Sequence, residues 1–304
     1  MANTLGTLSP DVLTLDVIQF LKKRFPMLTS IATDFSNEPV RYNTRIVSRV
    51  VTVPAVQSYT QAAGYAITPA TTVDVPVQIN NFRHVTLAFY DDEMSSTPRN
   101  LVQEQVEAAA FALGKDAFDK LAALMIGANI TTKVVSTAAN FTRDTLTSLR
   151  YNLQTQGANI PRFGILDSAG MQYLLQDPTI ISRFYTNIDD ASVDQVGGVL
   201  RGIGGFEKIY EYPDLTTDAA NTLGFFGSKD ALVMAARVPS DPSAFVANIP
   251  INAVIKNVQD PDSGLTMQYR YHYQVDKGRL DMTLTWIFGV AIGVAGHATL
   301  ATLT

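Results

Sequence analysis

The stretch that decides the fold reads SSTPRNLVQEQVEAAAFALGKDAFDKLAALMIG and runs from Ser95 to Gly127. Thr97 offers a side-chain oxygen that can cap a first helical turn, and Pro98 stands at the first helical position, where a missing N–H costs nothing. Apolar residues then recur at steps of three and four, which predicts one helix with a buried face over about 97–127. At ~1.5 Å per residue the helix would be roughly 44 Å long and span a whole domain. Its apolar stripe consists of Val102, Val106, Ala109, Leu113, Ala117, Leu121 and Leu124.

Two details refine this helix. Gly114 lies in its middle and costs about 1 kcal/mol relative to Ala, so we expect close packing or a slight bend there. Asp116 and Lys120 lie one turn apart and are expected to pair on the outer face.

Composition narrows the class of protein. The chain has 304 residues, of which 46% are hydrophobic and 17% charged, which is typical of a globular protein of about two domains. Its 23 Lys and Arg against 28 Asp and Glu leave a net charge of −5, so tight wrapping of nucleic acid is not indicated. The absence of cysteine excludes disulfides, thiolate zinc sites and cysteine nucleophiles.

The chain shows no export or membrane signal. Lys22, Lys23 and Arg24 follow the first apolar residues instead of preceding them, unlike a signal peptide, and we expect a cytosolic product. The longest apolar run, 286–296, is shorter than the ~20 residues that cross a bilayer, and it predicts a buried strand.

Before the long helix, the sequence predicts an arm and an excursion. Residues 9–24 fit a short amphipathic helix that needs a partner, in the same chain or in a neighbouring subunit. Residues 45–53 and 73–79 alternate as strands, with 54–72 between them. An isolated hairpin is marginally stable, so we expect this one to contact another subunit.

After the long helix, 143–245 is predicted to form an inserted α+β module. Its helices are expected at 144–155 and 168–175, and its strands at 163–166, 207–212, 222–226 and 231–236. The chain then returns to regular alternation over 265–275 and 280–288 around a turn at 276–278, which predicts an antiparallel hairpin. We expect the aromatic face of this hairpin to pack on the long helix.

Candidate chemistry is sparse. His84, His272 and His297 lie in no catalytic or ligand spacing and are expected to be structural. A Ser-His-Asp set stays open, because such sets converge in space and not in sequence. The carboxylates at 91–93 could hold a divalent ion, but an acidic helix start is the preferred interpretation.

Three local motifs carry no function, two because of their spacing and one because of its context. The glycine-rich residues 197–206 lack the last glycine of a dinucleotide loop and the Lys of a phosphate loop, so we expect a flexible loop with close backbone packing. Residues 260–271 resemble a calcium loop but place glycine early and Tyr271 in the twelfth position, which predicts a turn. The two sequons at 129 and 140 have no secretory route.

In combination these pieces resemble the major capsid protein of tailed bacteriophages, with its HK97-like fold. The resemblance covers nearly the whole chain and is carried by 100–123, 205–212, 226–231 and 278–288. It implies an α+β chain with an N-terminal arm at 1–38 and an extended β-hairpin loop at 39–86. It further implies a peripheral domain at 87–142 and 246–285, containing the spine helix, and an inserted axial domain at 143–245 and 286–304.

The resemblance also implies a function. The chain would be a structural subunit, not an enzyme, with no catalytic, cofactor-binding or metal-binding residues. It would self-assemble in the host bacterial cytoplasm into pentamers and hexamers of an icosahedral virion capsid around double-stranded DNA, which it would contact weakly. Because Met1 is followed almost at once by the arm, we expect a separate scaffolding protein, besides a portal and a possible decoration protein.

Two alternatives remain at this point. An encapsulin-like nanocompartment shell would have a similar fold and would enclose cargo instead of DNA. An enzyme would need a site in the inserted module, where Asp167, Ser168 and a histidine would have to converge.

Overall fold

The computed structural model describes residues 18–21, 24–51, 55–62, 64–65, 67–68, 72–96, 100–178, 180, 193–194, 199–215, 222–240, 254–260 and 264–304. The main α-helices in these ranges are α1 (Asp91–Ser96), α2 (Asn100–Ala122), α3 (Arg143–Thr155) and α4 (Ser168–Gln176). The strands of the first half are β1 (Ala32–Val40), β2 (Arg45–Val51), β3 (Thr72–Gln78), β4 (Asn81–Tyr90), β5 (Lys133–Ser136) and β6 (Arg162–Leu166). Those of the second half are β7 (Val193–Asp194), β8 (Val199–Ile203), β9 (Phe206–Glu211), β10 (Thr222–Ser228), β11 (Leu232–Pro239), β12 (Val254–Gln259), β13 (Thr266–Gln274), β14 (Arg279–Ile292) and β15 (Ala298–Leu303).

The larger sheet is built around β14. It has the order β1-β11-β14-β13-β12, and β4 also pairs with β14. Leu284 of β14 lies opposite Tyr269 of β13 on one side and opposite Val85 of β4 on the other. Gly278 takes the left-handed conformation in the β13–β14 turn, as a tight turn requires. The predicted hairpin over 265–288 is confirmed. The buried strand predicted over 286–296 is found only as far as Ile292, where β14 ends.

The two faces of β14 are buried by different elements. Trp286 and Phe288 point into the cluster that contains Leu113 and Phe118 of α2. Ile287, between them, points to the opposite side. Alternate residues of a strand face opposite sides of a sheet, so an apolar alternating strand can be covered on both faces. The predicted packing of the long helix on the aromatic face of the hairpin is confirmed.

The long helix α2 is shorter than expected at its C-terminal end. It spans 23 residues and ends at Ala122, which makes it about 35 Å long at ~1.5 Å per residue. The N–H of Leu124 donates to Leu121 and that of Met125 to Ala122, so the chain tightens into a final turn. Asn129 Nδ2 then donates to the Leu124 carbonyl at 2.9 Å. The predicted start signals at 97 and 98 lie outside the described residues.

The N-terminal segment packs on α2 within the same chain. Ile18, Leu21 and Phe25 are buried. The Phe25 ring stacks on Phe111 with ring centroids 5.6 Å apart. A Cβ built on Gly114 would lie 2.3 Å from Leu21 Cδ2, so the predicted close packing at Gly114 is confirmed. For residues 18–21 and 24–25, the partner left open by the sequence is this chain's own helix.

The second sheet forms the core of the module that follows. Its order is β5-β15-β10-β6-β9-β8-β7, with α3 and α4 contributing to its apolar cluster. Asp167 is the N-cap of α4 and accepts a hydrogen bond from Gly170 N at 2.6 Å. The helices and strands predicted at 144–155, 163–166, 168–175, 207–212 and 222–226 are all found, with ends shifted by a few residues.

One predicted strand of this module belongs to the other sheet. β11 pairs with β14 and β1, and so lies in the larger sheet, whereas β5, which precedes the module, pairs with β15 in the smaller one. The chain therefore crosses between the sheets at Lys229–Ala231 and returns at Ala295–His297. The domain boundaries at 142, 245 and 285 remain a prediction, which these crossings refine below.

Candidate functional site: an exposed hairpin on a fixed base

The β2–β3 hairpin lies across the larger sheet at its base. Its strands pair in antiparallel register from Arg45 opposite Gln78 to Val51 opposite Thr72. Val77 is fully buried in the cluster that contains Ile287. The backbone approach is very close, because a Cβ on Gly289 would lie 2.3 Å from the Gln78 carbonyl oxygen. The hairpin thus rests on its own chain at the base, which the sequence did not predict.

The far end of this hairpin exposes apolar side chains. Val56 is 99% exposed, Ile67 94% and Tyr65 89%. Tyr59 packs on Tyr65 with ring centroids 4.9 Å apart, and Gly64 N donates to the Thr60 carbonyl at 2.8 Å, so this part of the loop has local structure. Scattered exposed apolar residues are ordinary, but several together on one projecting element mark a contact surface. We call the described residues 55–62, 64–65 and 67–68 the hairpin tip.

Ion pairs fix the long helix to both sheets. Asp116 accepts from Arg83 Nε of β4 at 2.8 Å, and Lys115 Nζ lies 2.5 Å from Asp214 Oδ2, next to the smaller sheet. Lys115 is also 3.3 Å from Asp119, which accepts a hydrogen bond from the Tyr212 hydroxyl. The expected Asp116–Lys120 pair is therefore wrong. Arg83 is a closer partner, which tertiary packing brings to Asp116 and helical spacing cannot reveal.

The Tyr212–Asp119 contact changes the acidity of the phenol. Burial raises the pKa of Tyr212, and the hydrogen bond to Asp119 raises it further. The tyrosine is therefore a permanent donor to the carboxylate at neutral pH. The contact joins α2 to the end of β9.

A second polar cluster ties the two crossings between the sheets. His297 Nδ1 lies 2.8 Å from Asp230 Oδ2, and the Ser228 hydroxyl donates to the other oxygen of Asp230. Burial alone would raise the pKa of Asp230, but the hydrogen bonds from Ser228 and His297 outweigh it and the pKa is lowered. Val294 N also donates to the Asp230 carbonyl at 3.0 Å. Asp230 thus connects the segment that leaves the smaller sheet, at 229–231, with the segment that returns to it, at 295–297.

These three residues do not form a catalytic triad. In a triad the histidine stands between serine and aspartate and takes the serine proton. Here Asp230 stands between Ser228 and His297, and Ser228 is fully buried. The cluster connects the two crossings between the sheets by hydrogen bonds. His297 therefore makes a structural contact here, as the sequence analysis expects.

The enzyme alternative has no converging site at Ser168. Its hydroxyl donates to Glu211 Oε1 at 2.6 Å, and Asp167 is engaged by Gly170 N. The nearest ring partners of His272 are Gln274 and Asp281 on neighbouring strand positions, and His84 lies in β4 opposite Thr285. Within the described ranges, no histidine is bonded to either Asp167 or Ser168. The convergence that the enzyme alternative requires is not found among the described residues.

The other candidate motifs are structural elements. The carboxylates 91–93 form the first turn of α1, and the described part of the chain contains no group of three side chains arranged to hold a metal ion. Residues 199–203 form strand β8 and not the expected flexible loop, and 204–205 make the turn into β9. A Cβ on Gly205 would lie 2.5 Å from Arg150 Cδ, so the expected close packing is confirmed. Asp260 and Gly264 close the turn between β12 and β13. No helix in the described ranges has the length and apolarity of a bilayer-spanning segment.

Solved structures match this architecture over most of its length. The capsid structure of the cyanophage P-SCSP1u matches with a TM-score of 0.57 and 10% identity, covering 90% of this chain and 86% of that one. The asymmetric unit of the mature capsid of bacteriophage PhiM1 matches with a TM-score of 0.50 and 8% identity, covering 90% and 85%. The chain has the fold of phage capsid proteins.

A further solved structure, from Mycobacterium phage Che8, matches with a TM-score of 0.51 and 14% identity over 94% of this chain and 90% of that one. No family model and no curated protein sequence matches the chain. The α+β fold class and the resemblance to phage capsid proteins inferred from the sequence are thus confirmed at the level of fold. At these identities the capsid fold is recognisable from the arrangement of sheets and helix, and hardly from residue matches.

Proposed function

We propose that this chain is the major capsid subunit of a tailed phage, assembling into pentamers and hexamers of an icosahedral head around double-stranded DNA. The observation that carries the proposal is the capsid fold over about nine tenths of the chain. The exposed hairpin tip supports it, since a lone projecting hairpin needs a second surface to cover its apolar side chains.

The parts of the subunit then have separate roles. The β2–β3 hairpin within the extended loop (39–86) would contact neighbours, whereas the described part of the N-terminal arm (1–38) packs on its own chain. The larger sheet with the long helix would form the peripheral domain, and the smaller sheet the axial domain. In this refinement residues 232–239 and 286–292 go with the peripheral domain and residues 133–136 with the axial one, following the sheets to which these strands belong.

The proposed partners follow from this role. The subunit binds copies of itself, a separate scaffolding protein and a portal, with a decoration protein as an optional partner. It is assembled in the bacterial cytoplasm and resides in the virion capsid. Contact with packaged DNA is weak and non-specific, in keeping with the net charge of −5. The role requires no catalytic residue and no cofactor.

Assembly of the expressed chain tests the proposal. Light scattering and negative-stain microscopy of the wild type, with its scaffolding protein if needed, should give closed particles. Replacing residues 54–72 by a short Gly-Ser turn, or changing Val56, Tyr65 and Ile67 together to Ser, should leave a folded subunit that does not close shells. Tyr151→Ser, at a 67% exposed position on α3, is the matched control and should assemble.

The outcomes separate the alternatives. Normal closure by both hairpin variants would show that the tip makes no essential contact. A wild-type chain that stays a single molecule at high concentration, with scaffolding protein present, would refute the shell role. Small cargo-filled particles instead of DNA-filled heads would indicate the encapsulin-like alternative.

A further inference from the structure

Strand β4 forms an edge of the larger sheet and lacks the usual protection of an edge. Among the described residues it pairs with β14 alone, and its register runs from Asn81 to Tyr90 without a bulge. Its ten residues include no proline and no lysine. Natural sheets protect long edges with such residues or with bulges, because the unpaired N–H and C=O groups of an edge pair readily with another strand. An edge of this length and regularity is therefore suited to accept a further strand.

The side chains of β4 leave this edge accessible within the described part of the chain. None of the residues 81–88 is buried. Arg83 pairs with Asp116 of α2, so the even-numbered positions of β4 lie on the face opposite this helix. On that face Phe82, at one end of the strand, is 43% exposed and Tyr90, at the other end, 41%. Two large aromatic side chains thus remain uncovered at the two ends of an open edge.

The positions of these two aromatic residues make the edge complementary to itself. Phe82 lies four positions before Thr86, and Tyr90 lies four positions after it. In an antiparallel pair of two copies centred on Thr86, Phe82 of each copy therefore lies opposite Tyr90 of the other. Cross-strand aromatic pairs stabilise a sheet, whereas like charges directly opposite destabilise it. The charges fit this register, because Arg83 of one copy comes near Asp91 of the other and no like charges face each other.

We propose that β4 pairs with β4 of a second copy across a twofold axis, which joins two larger sheets into one continuous sheet. The axis makes every contact occur twice, so both aromatic pairs and the backbone hydrogen bonds of the two strands form together. This contact uses no residue of the hairpin tip. It does not depend on the shell role, because the two copies pair whether or not closed particles form.

Site-specific cross-linking tests the pairing and its register, and the chain offers a clean background because it has no cysteine. Thr86→Cys places a thiol opposite its own copy, within reach of a short thiol-specific cross-linker, and should give a linked dimer. A mixture of Phe82→Cys and Tyr90→Cys chains should cross-link, whereas Phe82→Cys chains alone should not. Thr33→Cys, at an exposed position of the edge strand β1, is the matched control and should give no dimer.

Charge exchange at the centre of the pair gives the decisive measurement. The full chain with Val56, Tyr65 and Ile67 changed to Ser serves as the background, so that shell closure does not interfere, and sedimentation equilibrium should detect its dimer. Thr86→Lys and Thr86→Glu should each weaken this dimer about tenfold, because like charges then face each other across the axis. An equal mixture of the two should restore it. Thr33→Lys is the control and should leave the dimer unchanged.

The outcomes separate this pairing from the shell role. Dimers that weaken only in the singly charged Thr86 variants support the pairing, even if the wild type closes no particles. A background chain that stays a monomer at high concentration, or a dimer that is indifferent to charge at position 86, would overturn the pairing. Closed particles formed by the wild type in that case would leave the shell role intact.

Discussion

Gly114 of the long helix lies against Leu21 of the N-terminal segment so closely that a Cβ at Gly114 would come within 2.3 Å of Leu21 Cδ2. The same Cβ would lie 2.7 Å from Phe25 Cε2. The glycine that weakens the helix by its propensity is therefore the place where the N-terminal segment docks. Gly114 thus lowers the intrinsic stability of the helix and at the same time allows Leu21 and Phe25 to pack closely against it.

Gly114→Ala should destabilise the protein although it improves helix propensity. The propensity gain is about 1 kcal/mol, whereas overpacking a filled core costs typically ~1–3 kcal/mol, and both Leu21 and Phe25 are buried with little room to move. We expect a net loss of about 1 kcal/mol in the free energy of unfolding, measured by urea denaturation. In the double variant Gly114→Ala/Leu21→Ala the two losses should be less than additive, because the new methyl fills the vacated space. Additive losses in the free energy of unfolding would show that residues 114 and 21 do not contact each other.

Asp230→Asn should destabilise the protein in a pH-dependent way. The pKa of Asp230 is lowered in the folded state, so the ionised carboxylate contributes stability above the unfolded pKa of about 3.9, and this contribution is lost as pH falls through the lower folded value. The amide cannot accept from Ser228 and His297 as the carboxylate does, and the expected loss is ~1–3 kcal/mol at pH 7. Thermal unfolding at pH 7 and below pH 4 should show the difference shrinking at the acid end. A constant difference would mean that the charge of Asp230 is irrelevant.

Tyr212→Phe should cost stability at neutral pH and less at alkaline pH. The hydrogen bond to Asp119 is charge-assisted, and losing it costs ~1.5–3 kcal/mol. Because the folded pKa of Tyr212 is raised, the wild type keeps this stability below the unfolded pKa of about 10 and loses it as pH rises further. The gap between wild type and variant in chemical denaturation should therefore narrow above pH 10. Tyr151→Phe, at an exposed site, is the control and should be neutral at both pH values.

The sequence predicts those elements in which the order of apolar and polar residues shows which face is buried. The strict alternation over 265–288 defines two faces, and it correctly predicts a hairpin and its contact with the long helix. β11 is buried at every position, so its sequence contains no alternation that could tell which sheet it joins. β1, with Asp34, Ser36 and Glu38, has no apolar pattern at all and was missed, although it pairs in parallel with β11 at the edge of the sheet.

The candidate site follows the same rule. The alternation over 45–53 and 73–79 predicts the β2–β3 hairpin. It does not predict the contact at the base of the hairpin, because that contact depends on Gly289 meeting the Gln78 carbonyl, which lies 211 positions earlier in the chain.

Gly289→Ala should loosen the hairpin while leaving its tip chemically unchanged. The new Cβ would meet backbone, with the Gln78 oxygen at 2.3 Å and Val77 Cγ1 at 3.0 Å, so the strand β3 must move away from β14. We expect a loss of ~1–3 kcal/mol in unfolding free energy and faster amide hydrogen exchange in β3 than in the wild type. Gly296→Ala, where the added Cβ has no neighbour within 4 Å, is the control and should change neither quantity.

Assembly of the Gly289→Ala variant then separates two views of the hairpin. If the hairpin tip contributes only non-directional hydrophobic contacts, the variant should form closed particles as the wild type does, because Val56, Tyr65 and Ile67 are unchanged. If the base positions the tip, assembly should be impaired although no contact residue has changed, since a displaced β3 aims the tip differently. We expect the second outcome, because the base buries Val75, Val77 and Ile79 on the chain's own sheet and so fixes the direction in which the hairpin projects. Normal particles, together with fast amide hydrogen exchange in β3, would show that the contact of the hairpin with a neighbouring subunit does not depend on its base.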